Sequence, residues 1–365
     1  MGSEGSAPDR RRLRRLYAAL ALVIVGALGV LIGWSDRPSV RYAQMPCQYR
    51  ATYAIDGPAA AVVLGSSRSQ YGVATAALAS GLGLDPATAP IVNVARGGRG
   101  PGQLYQQLVD LERARGIAGP ILFEVSPQDT AFWRRRPLYY QYLPSFARAV
   151  PLEAVVDDWS TKPREPTYSR VRDLAAQLMQ RVDTALETVA TGGWRRNAGL
   201  RRGPSAPIDC RIRLDDERRR GELNQLRRAE ANLRREVGRD GSWRDREPWA
   251  DEFGRVNQDR QLAYLALAAR FARERGLPIV FYAVPGYLQP PIAEAARRSF
   301  AERVGEPLAV PPDELLEQLA ERDRWRDAYH LNGSGARLFT GWLADEARRV
   351  DVGSDRVDAA GSGGS

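Results

Sequence analysis

Three short apolar runs, each followed by a turn, constrain the fold of this chain most. Residues 59–64 (AAAVVL), 91–95 (IVNVA) and 120–125 (PILFEV) have the length and composition of buried strands. Helical patterns at 73–80 and 102–115 separate them. Strands and helices that alternate in units of this size predict a parallel sheet with helices on both faces. We therefore expect an α/β domain with three layers, α/β/α.

The same alternation resumes in the last third of the chain. A strand is predicted at 278–284, directly after an amphipathic helix at 257–275. Further helices are predicted at 291–304, 313–322 and 334–350. The two blocks together indicate one α/β domain that is interrupted in the middle.

The interruption, about 137–250, is charged and contains little strand pattern. Apolar positions spaced by three and four residues predict helices at 169–189 and 215–237. We interpret this region as a helical insertion, packed over the sheet or forming a lid, in a domain that spans 58–350. The end of the chain, 351–365, is rich in Gly and Ser and is predicted to be disordered.

An uncharged stretch precedes the domain. Residues 17–34 contain no charged side chain, and as a helix they would be about 27 Å long, which is enough to cross a bilayer core. Five arginines lie just before it, within 10–15, so the positive-inside rule predicts that the N-terminus is cytoplasmic. We expect a basic tail (1–15), a single transmembrane anchor (16–34) and a linker (35–57), with the domain outside. A cleaved signal peptide is the alternative.

The basic charge of the chain does not indicate a nucleic-acid partner. The formal net charge is +9, with 53 Lys and Arg against 44 Asp and Glu. Basic runs at 10–12, 134–136 and 218–220 are scattered and interleaved with acidic residues, whereas nucleic-acid-binding proteins gather such charge on one face.

The cysteines and the histidine are few. Outside the cytoplasm the two cysteines, Cys47 and Cys210, are expected to form a disulfide, with two unpaired thiols as the alternative. Two distant cysteines and one histidine make a poor set of metal ligands, so we expect no metal and no cofactor.

The only histidine, His330, follows Asp327 by three residues. A carboxylate at this spacing on a tight turn can accept the Nδ1 proton and fix the tautomer, which leaves Nε2 to act as a general base. A lone histidine can also be purely structural. Its position beside an aspartate, just before the last predicted helix, favours the catalytic interpretation.

The turn after the first predicted strand, residues 65–69 (GSSRS), offers a nucleophile for such a base. A sharp strand-to-helix turn exposes a hydroxyl at the carboxyl end of a parallel sheet, where open α/β folds bind their ligands. A serine in this turn can instead be only a helix N-cap. The turn and the Asp-x-x-His motif together favour nucleophilic catalysis.

These two motifs resemble those of the SGNH hydrolase superfamily. In that family a Gly-Asp-Ser turn after the first strand carries the nucleophile, and a C-terminal Asp-x-x-His supplies the other two members of the triad. The resemblance implies that Ser67 is the nucleophile, that Asp327 orients the base and that His330 is the base. It also implies a flavodoxin-like sheet.

The second block of the family is an Asn followed by glycines, and it is similar to residues 93–98 (NVARGG). The resemblance implies that the N–H of Gly98 stabilises the oxyanion together with the N–H of Ser67, with Gly97 as the alternative donor. It makes Asn93 a candidate substrate contact.

The third block of the family reads Gly-x-Asn-Asp, but residues 126–129 read SPQD. The Asn that donates to the oxyanion in the family is therefore missing, and Ser126 and Gln128 are candidate substrate contacts in its place. This SPQ ending, the GSS turn and the N-terminal anchor are together similar to membrane-anchored D-alanyl transfer proteins, and more loosely to the SGNH-like proteins of alginate acetylation. Arg68 is a candidate contact for an anionic substrate group, or alternatively a solvated arginine.

The resemblance implies an extracytoplasmic serine esterase or O-acyltransferase, held in the cytoplasmic (inner) membrane by one span. Its substrates would be acyl groups of a cell-surface polysaccharide or envelope glycan, or an acyl carrier, and its partner a membrane-bound O-acyltransferase. The missing third-block Asn keeps a second hypothesis open. This is a non-catalytic accessory protein that binds a glycan or such an acyltransferase.

Overall fold

The fold is described by a computed structural model that covers most of the two α/β blocks. The chain divides into two compact units, Met1–Gln44 with Tyr140–Gly199, and Met45–Tyr139 with Leu200–Ser365. The described residues are 10–35, 37, 46–85, 89–97, 100–125, 208–209, 220–246 and 256–361, with isolated positions between 179 and 198.

Helix α1 (Arg10–Ser35) belongs to the first unit. Within it, Arg12–Leu31 has a mean hydropathy of 1.8, and none of this segment is buried. Its apolar side chains, largely Leu, Val and Ala, are good helix formers or are tolerated in a helix. The helix is therefore long and apolar enough to cross a membrane.

The second unit is built from alternating strands and helices, which begin and end as follows. The strands are β1 (Ala61–Leu64), β2 (Ile91–Asn93), β3 (Ile121–Glu124), β4 (Ile208–Asp209), β5 (Ile279–Tyr282) and β6 (Leu308–Ala309). The helices are α2 (Pro46–Tyr53), α3 (Ser67–Gly72), α4 (Thr75–Gly81), α5 (Pro101–Arg115), α6 (Arg220–Val237), α7 (Val256–Glu274), α8 (Glu294–Val304), α9 (Asp313–Leu319) and α10 (Gly333–Gly361).

The six strands form one sheet in the order β4-β2-β1-β3-β5-β6, and every pairing is parallel. In β1, Val63 is in register with Asn93 of β2, and Leu64 with Phe123 of β3. Because the strands are parallel, the turns after β1, β2 and β3 lie at the same edge of the sheet. The predicted α/β fold with a parallel sheet is confirmed.

The core has two parts, one on each face of the sheet. Side chains alternate along the strands, so that Val62 and Leu64 pack into one cluster and Ala61 and Val63 into the other. Helices α2, α5, α7 and α8 cover the first face, and α4, α6, α9 and α10 cover the second. This gives three layers, with the strands buried on both faces.

The structure differs from the sequence prediction at several places. The predicted linker 35–57 contains α2, because Ala51 of this helix and Ile55 just after it pack into the core. Strand β4 lies inside the predicted insertion and pairs with β2; two residues are too few to show strand periodicity. Helix α10 continues to Gly361 through the predicted disordered tail, where no proline interrupts it.

Candidate active site

The turn between β1 and α3 presents Ser67 at the carboxyl edge of the sheet. Ser66 is the N-cap of α3, and its Oγ accepts the N–H of Arg68 at 3.2 Å. Ser67 is the first residue of the helix. A Cβ at position 65 would overlap the carboxylate of Glu124 and the side chain of Ser69, so the turn requires Gly65.

The carboxylate of Glu124, the last residue of β3, lies beneath this turn and is 3% exposed. It accepts the N–H and the hydroxyl of Ser66 at 2.7 and 2.6 Å. It also accepts the N–H and the hydroxyl of Ser69 at 3.1 and 2.5 Å. Ser69 Oγ is in turn 2.5 Å from the hydroxyl of Tyr282 on β5. A buried polar network therefore joins the turn to two strands.

Asp327 and His330 lie on a tight loop that precedes α10. The Oδ1 atom of Asp327 accepts the N–H groups of Tyr329 and His330 at 2.8 and 3.0 Å. An antiparallel bridge between Trp325 and Leu331 closes the loop. The loop is thus folded around the carboxylate.

The loop anchors to the helix that follows it through one side chain. The Oδ1 atom of Asn332 accepts the N–H groups of Ser334 and Gly335 at 3.0 and 3.1 Å, which caps the start of α10. The N–H of Asn332 donates to the carbonyl of Arg324 at 3.0 Å. The position of the imidazole is thereby fixed relative to α10.

The structure brings Ser67, Asp327 and His330 together. The Nδ1 atom of His330 is 2.8 and 2.9 Å from the two carboxylate oxygens of Asp327, and its Nε2 atom is 2.9 Å from Oγ of Ser67. If Nδ1 carries the proton and donates it to the carboxylate, Nε2 presents a lone pair to the serine hydroxyl. This is the arrangement of a nucleophile, a base and an orienting carboxylate.

The electrostatics of Asp327 favour its charged form. Burial by itself would raise the pKa of this carboxyl. The hydrogen bond and charge of His330, together with the two backbone N–H donors, outweigh burial and lower the pKa below its ordinary value. The carboxylate is therefore ionised at neutral pH and able to accept the imidazole proton.

The predicted oxyanion donors are only partly described. Among the described residues, the N–H of Ser67 has no hydrogen-bond partner, and Gly97 lies beside the nucleophile, since a Cβ there would be 3.4 Å from Cβ of Ser67. Gly98 lies outside the described residues, as do Ser126 and Gln128.

Asn93 has a different role from the predicted one. It is 1% exposed; its Oδ1 atom accepts the N–H of Ala95 at 3.1 Å, and its amide donates to the carbonyl of Val73 at 3.4 Å. A buried amide that is bonded to backbone on both sides is not available to a substrate. The prediction of a substrate contact is therefore corrected: Asn93 holds the backbone after β2 in place.

Arg68 is not a solvated arginine. It is 6% exposed, it donates to the carbonyl of Val284 at 3.3 Å, and its guanidinium lies 5.7 Å from the ring centre of Tyr329. With Leu288 and Trp325 it lines a small apolar cavity next to the Asp327–His330 loop. The alternative of a solvent-exposed side chain is thus wrong, and a charged group lines a mainly apolar space.

The insertion contacts the histidine loop through groups that the sequence analysis did not identify. Glu222 of α6 forms an ion pair with Arg326 at 2.7 Å. The guanidinium of Arg326 lies 5.3 Å from the ring centre of Tyr71, and that ring is 4.8 Å from the imidazole of His330. A chain of contacts therefore leads from the insertion to the candidate base.

Of the predicted disulfide, Cys47 on α2 is a bonded half-cystine, and Cys210 lies outside the described residues. Among the described residues, no group of three or more His, Cys, Asp or Glu side chains could hold a metal ion.

No protein-family model matches the chain, and no curated protein matches it significantly.

Proposed function

We propose that this chain is a serine esterase or O-acyltransferase of the SGNH type, with Ser67 as the nucleophile, His330 as the general base and Asp327 as the carboxylate that orients it. The observation that carries the proposal is the 2.9 Å contact between Nε2 of His330 and Oγ of Ser67, with Asp327 on the other ring nitrogen. Residues 263 positions apart in sequence meet here in the geometry that nucleophilic catalysis requires.

Acylation begins when Oγ of Ser67 attacks the carbonyl carbon of an ester. Its proton moves to Nε2 of His330, and the imidazolium that forms is stabilised by Asp327. The tetrahedral intermediate then collapses, the bond to the leaving alcohol breaks, and His330 returns the proton to that alcohol. The acyl group remains on Ser67 as an ester.

Deacylation repeats these steps with a second hydroxyl. Water or a glycan hydroxyl gives its proton to His330 and attacks the acyl-enzyme, and Ser67 leaves with the proton that His330 returns. Attack by water makes the chain an esterase, and attack by a sugar hydroxyl makes it an acyltransferase. The same groups serve both reactions.

The N–H of Ser67 supplies one oxyanion donor in this proposal, and the turn that contains Gly97 lies close enough to supply another. Gly98 is the donor that the family resemblance implies, and Ser126 and Gln128 are the candidates for the missing third-block Asn. Arg68 borders the apolar cavity and would face an anionic or carbonyl group that enters it.

The proposed substrates are acyl groups of a cell-surface polysaccharide or envelope glycan. Support comes from α1, which can cross a membrane, from the arginines before it, and from the resemblance to extracytoplasmic proteins of glycan acylation. In this proposal the domain lies outside the cytoplasmic membrane and the N-terminus lies inside. A membrane-bound O-acyltransferase is the partner that such a role requires for transfer.

The test is labelling of the purified full-length chain with a fluorophosphonate, which reacts with activated serines. Wild type should be labelled, and the Ser67→Ala and His330→Ala variants should not. Ser334→Ala removes a partly buried hydroxyl from the start of α10 and is the matched control, since Ser334 donates to Asn332 rather than to the histidine. It should be labelled like wild type.

A folded wild-type chain that stays unlabelled would contradict the proposal and favour the non-catalytic accessory hypothesis. Binding of the chain to envelope glycan or to a membrane-bound O-acyltransferase would then be the property to measure. If labelling succeeds, release of acyl groups from envelope polysaccharide distinguishes hydrolysis from transfer to an added glycan.

A further inference from the structure

The nucleophile turn rests on a buried carboxylate that takes no part in the triad. Glu124 is 3% exposed and accepts four hydrogen bonds, all from the two serines that flank Ser67 and Arg68 in the turn. Burying a carboxylate is costly unless donors surround it. We propose that Glu124 is a positioning residue that sets the place and direction of Ser67, an inference that rests on the proposed function of Ser67.

The backbone N–H donors at the start of α3 differ in their partners. The N–H groups of Ser66 and Ser69 donate to Glu124, and that of Arg68 donates to Oγ of Ser66. Of the four N–H groups of residues 66–69, only that of Ser67 has no partner among the described residues. The network therefore satisfies the turn while leaving free the one donor that an oxyanion next to the nucleophile needs.

The directions of the hydrogen bonds connect Glu124 to the neighbouring strand β5. The hydroxyl of Ser69 donates to Glu124, so its oxygen accepts from the hydroxyl of Tyr282. Complete burial, and next the charge of Glu124, raise the pKa of Tyr282 well above its ordinary value, so this phenol stays protonated. The hydroxyl of Tyr282 on β5 thus donates to Ser69, and the hydroxyl of Ser69 donates to Glu124 on β3.

A shift of the nucleophile turn would move Ser67 away from its base. Ser67 has to lie 2.9 Å from Nε2 of His330, and the imidazole is fixed by its own loop. Without the carboxylate, the donors of Ser66 and Ser69 would lose a buried acceptor and the turn would shift. A displacement of about 1 Å between reacting groups can lower a rate about 100-fold.

The substitution Glu124→Gln separates position from charge. The amide oxygen can take the place of Oε2 and accept from both N–H groups and from Ser69. The amide nitrogen then faces Oγ of Ser66, whose hydroxyl can rotate to accept. The turn keeps its shape although the charge is gone, whereas Glu124→Ala removes the acceptor altogether.

The experiment measures the second-order rate constant of fluorophosphonate labelling in the full-length chain. Glu124→Ala should be labelled about 100-fold more slowly than wild type, and Glu124→Gln should stay close to wild type. The matched control is Asp110→Ala, which removes another buried carboxylate, one that accepts from the hydroxyl of Tyr53 and not from the turn. It should lower thermal stability without slowing labelling.

The proposal is overturned if Glu124→Ala is labelled at the wild-type rate, if Asp110→Ala slows labelling as much, or if Glu124→Gln is as slow as Glu124→Ala. The first result would mean that the turn keeps its shape without Glu124. The second would mean that any loss of core stability lowers the labelling rate of Ser67. The third would mean that the charge of Glu124 matters and the position of Ser67 does not.

A second measurement does not depend on activity. Because the chain contains one histidine, selective ¹⁵N labelling gives NMR signals from His330 alone. If Glu124 positions Ser67, the Nε2 signal of Glu124→Ala should move to that of Ser67→Ala, since both lose the same contact. If the fluorophosphonate does not label the wild-type chain but the NMR signal of Glu124→Ala shifts in this way, the proposed function fails while the positioning role stands. An unchanged signal overturns the positioning role.

Discussion

The two halves of the candidate site are held in different ways. The serine half lies within the body of the sheet: its turn is anchored from below by Glu124, which is buried and satisfied by hydrogen bonds. The histidine half is a loop near the surface, and the ion pair of Arg326 with Glu222 connects this loop to helix α6. Asp327 is the only buried carboxylate of that loop.

Because of this difference, the two halves should differ in their sensitivity to substitutions. A close-packed interior tolerates neither an added atom nor a lost acceptor, so the serine half should respond sharply to small changes of shape. The ion pair of Arg326 with Glu222 is a single contact at the edge of the loop, so its loss should have a weak effect on the histidine half, and that effect should depend only in part on ionic strength.

The largest effect is expected in the serine half, from Gly65→Ala. The added Cβ would overlap both Glu124 and Ser69, and neither can move away because both belong to the buried network. We expect a loss of about 3 kcal/mol in the free energy of unfolding, together with loss of labelling at Ser67. Chemical denaturation measures the free energy of unfolding, and the fluorophosphonate reaction measures labelling at Ser67.

Gly341→Ala is the control for this change. Gly341 lies on the exposed side of α10, and a Cβ there would meet nothing within 4 Å. Alanine is the better helix former by about 1 kcal/mol, so this variant should be slightly more stable than wild type and fully labelled. Equal behaviour of the two variants would show that the turn at position 65 is not tightly packed.

The next largest effect is expected in the histidine half, from Asp327→Asn. The new Oδ1 can still accept the N–H groups of Tyr329 and His330, so the loop should keep its fold. The amide, however, donates to Nδ1, and the imidazole proton moves to Nε2, which can then no longer accept the proton of Ser67. We expect a loss of about 10³- to 10⁴-fold in labelling rate or esterase turnover.

The His330 NMR signals provide the control for Asp327→Asn, because they should report a switch of the protonated ring nitrogen. A variant that keeps the wild-type tautomer and the wild-type rate would show that the loop orients the imidazole without the carboxylate.

A small effect is expected from the outer support of the loop. Arg326→Gln removes the ion pair with Glu222 and the contact with Tyr71, and the labelling rate should fall by about two- to fivefold. High salt should narrow the difference between wild type and the variant only in part, because the two side chains of the pair are 19% and 15% exposed and salt screens a partly buried pair less than an exposed one.

Arg348→Gln breaks an exposed ion pair with Asp345 on α10 and should leave the rate unchanged at any salt concentration. If Arg326→Gln lowers the rate as strongly as Asp327→Asn does, the two halves do not differ in the way described above.

The same contrast explains what the sequence could predict about the site. Asp327 and His330 lie in one short motif whose spacing indicated a base and its carboxylate, and the resemblance to a family motif singled out Ser67 within the turn 65–69. Glu124 was missed because a single acid inside the apolar run 120–125 looks like ordinary variation in a strand. Its signal is that a charged residue in a strand buried on both faces requires donors nearby.

Contacts between distant segments could not be predicted in this way. Arg326 and Glu222 are separated by 104 positions, and each is one of many charged residues in the chain. Asn93 matched a family block, yet its amide turned out to bond backbone, which depends on the loop around it. Only the folded chain shows which of these groups meet.

For the fold, the pattern of apolar residues predicted the long helices and the central strands. A helix buried on one face shows a periodic pattern, and a strand buried on both faces shows a short apolar run. The pattern did not predict β4 or β6, each of two residues, since such short strands are defined by their neighbours in the sheet. It also missed α2, whose eight residues show only two turns of apolar spacing.

The smallest expected effect is a pH dependence of stability that comes from the histidine half alone. The pKa of Asp327 is lower in the folded chain than its ordinary value of 3.8, because His330 and backbone donors outweigh burial. This carboxylate therefore stabilises the fold fully above the unfolded pKa, and its contribution is lost as the pH falls through the folded pKa. Thermal unfolding of wild type and Asp327→Asn between pH 2 and about pH 6 should show a difference that shrinks on acidification.

His330→Ala should weaken that pH dependence, since it removes the main cause of the lowered pKa. A difference that stays constant with pH would mean that the charged form of Asp327 is no better stabilised in the folded loop than in the unfolded chain, and the contrast between the two halves would then rest on shape alone.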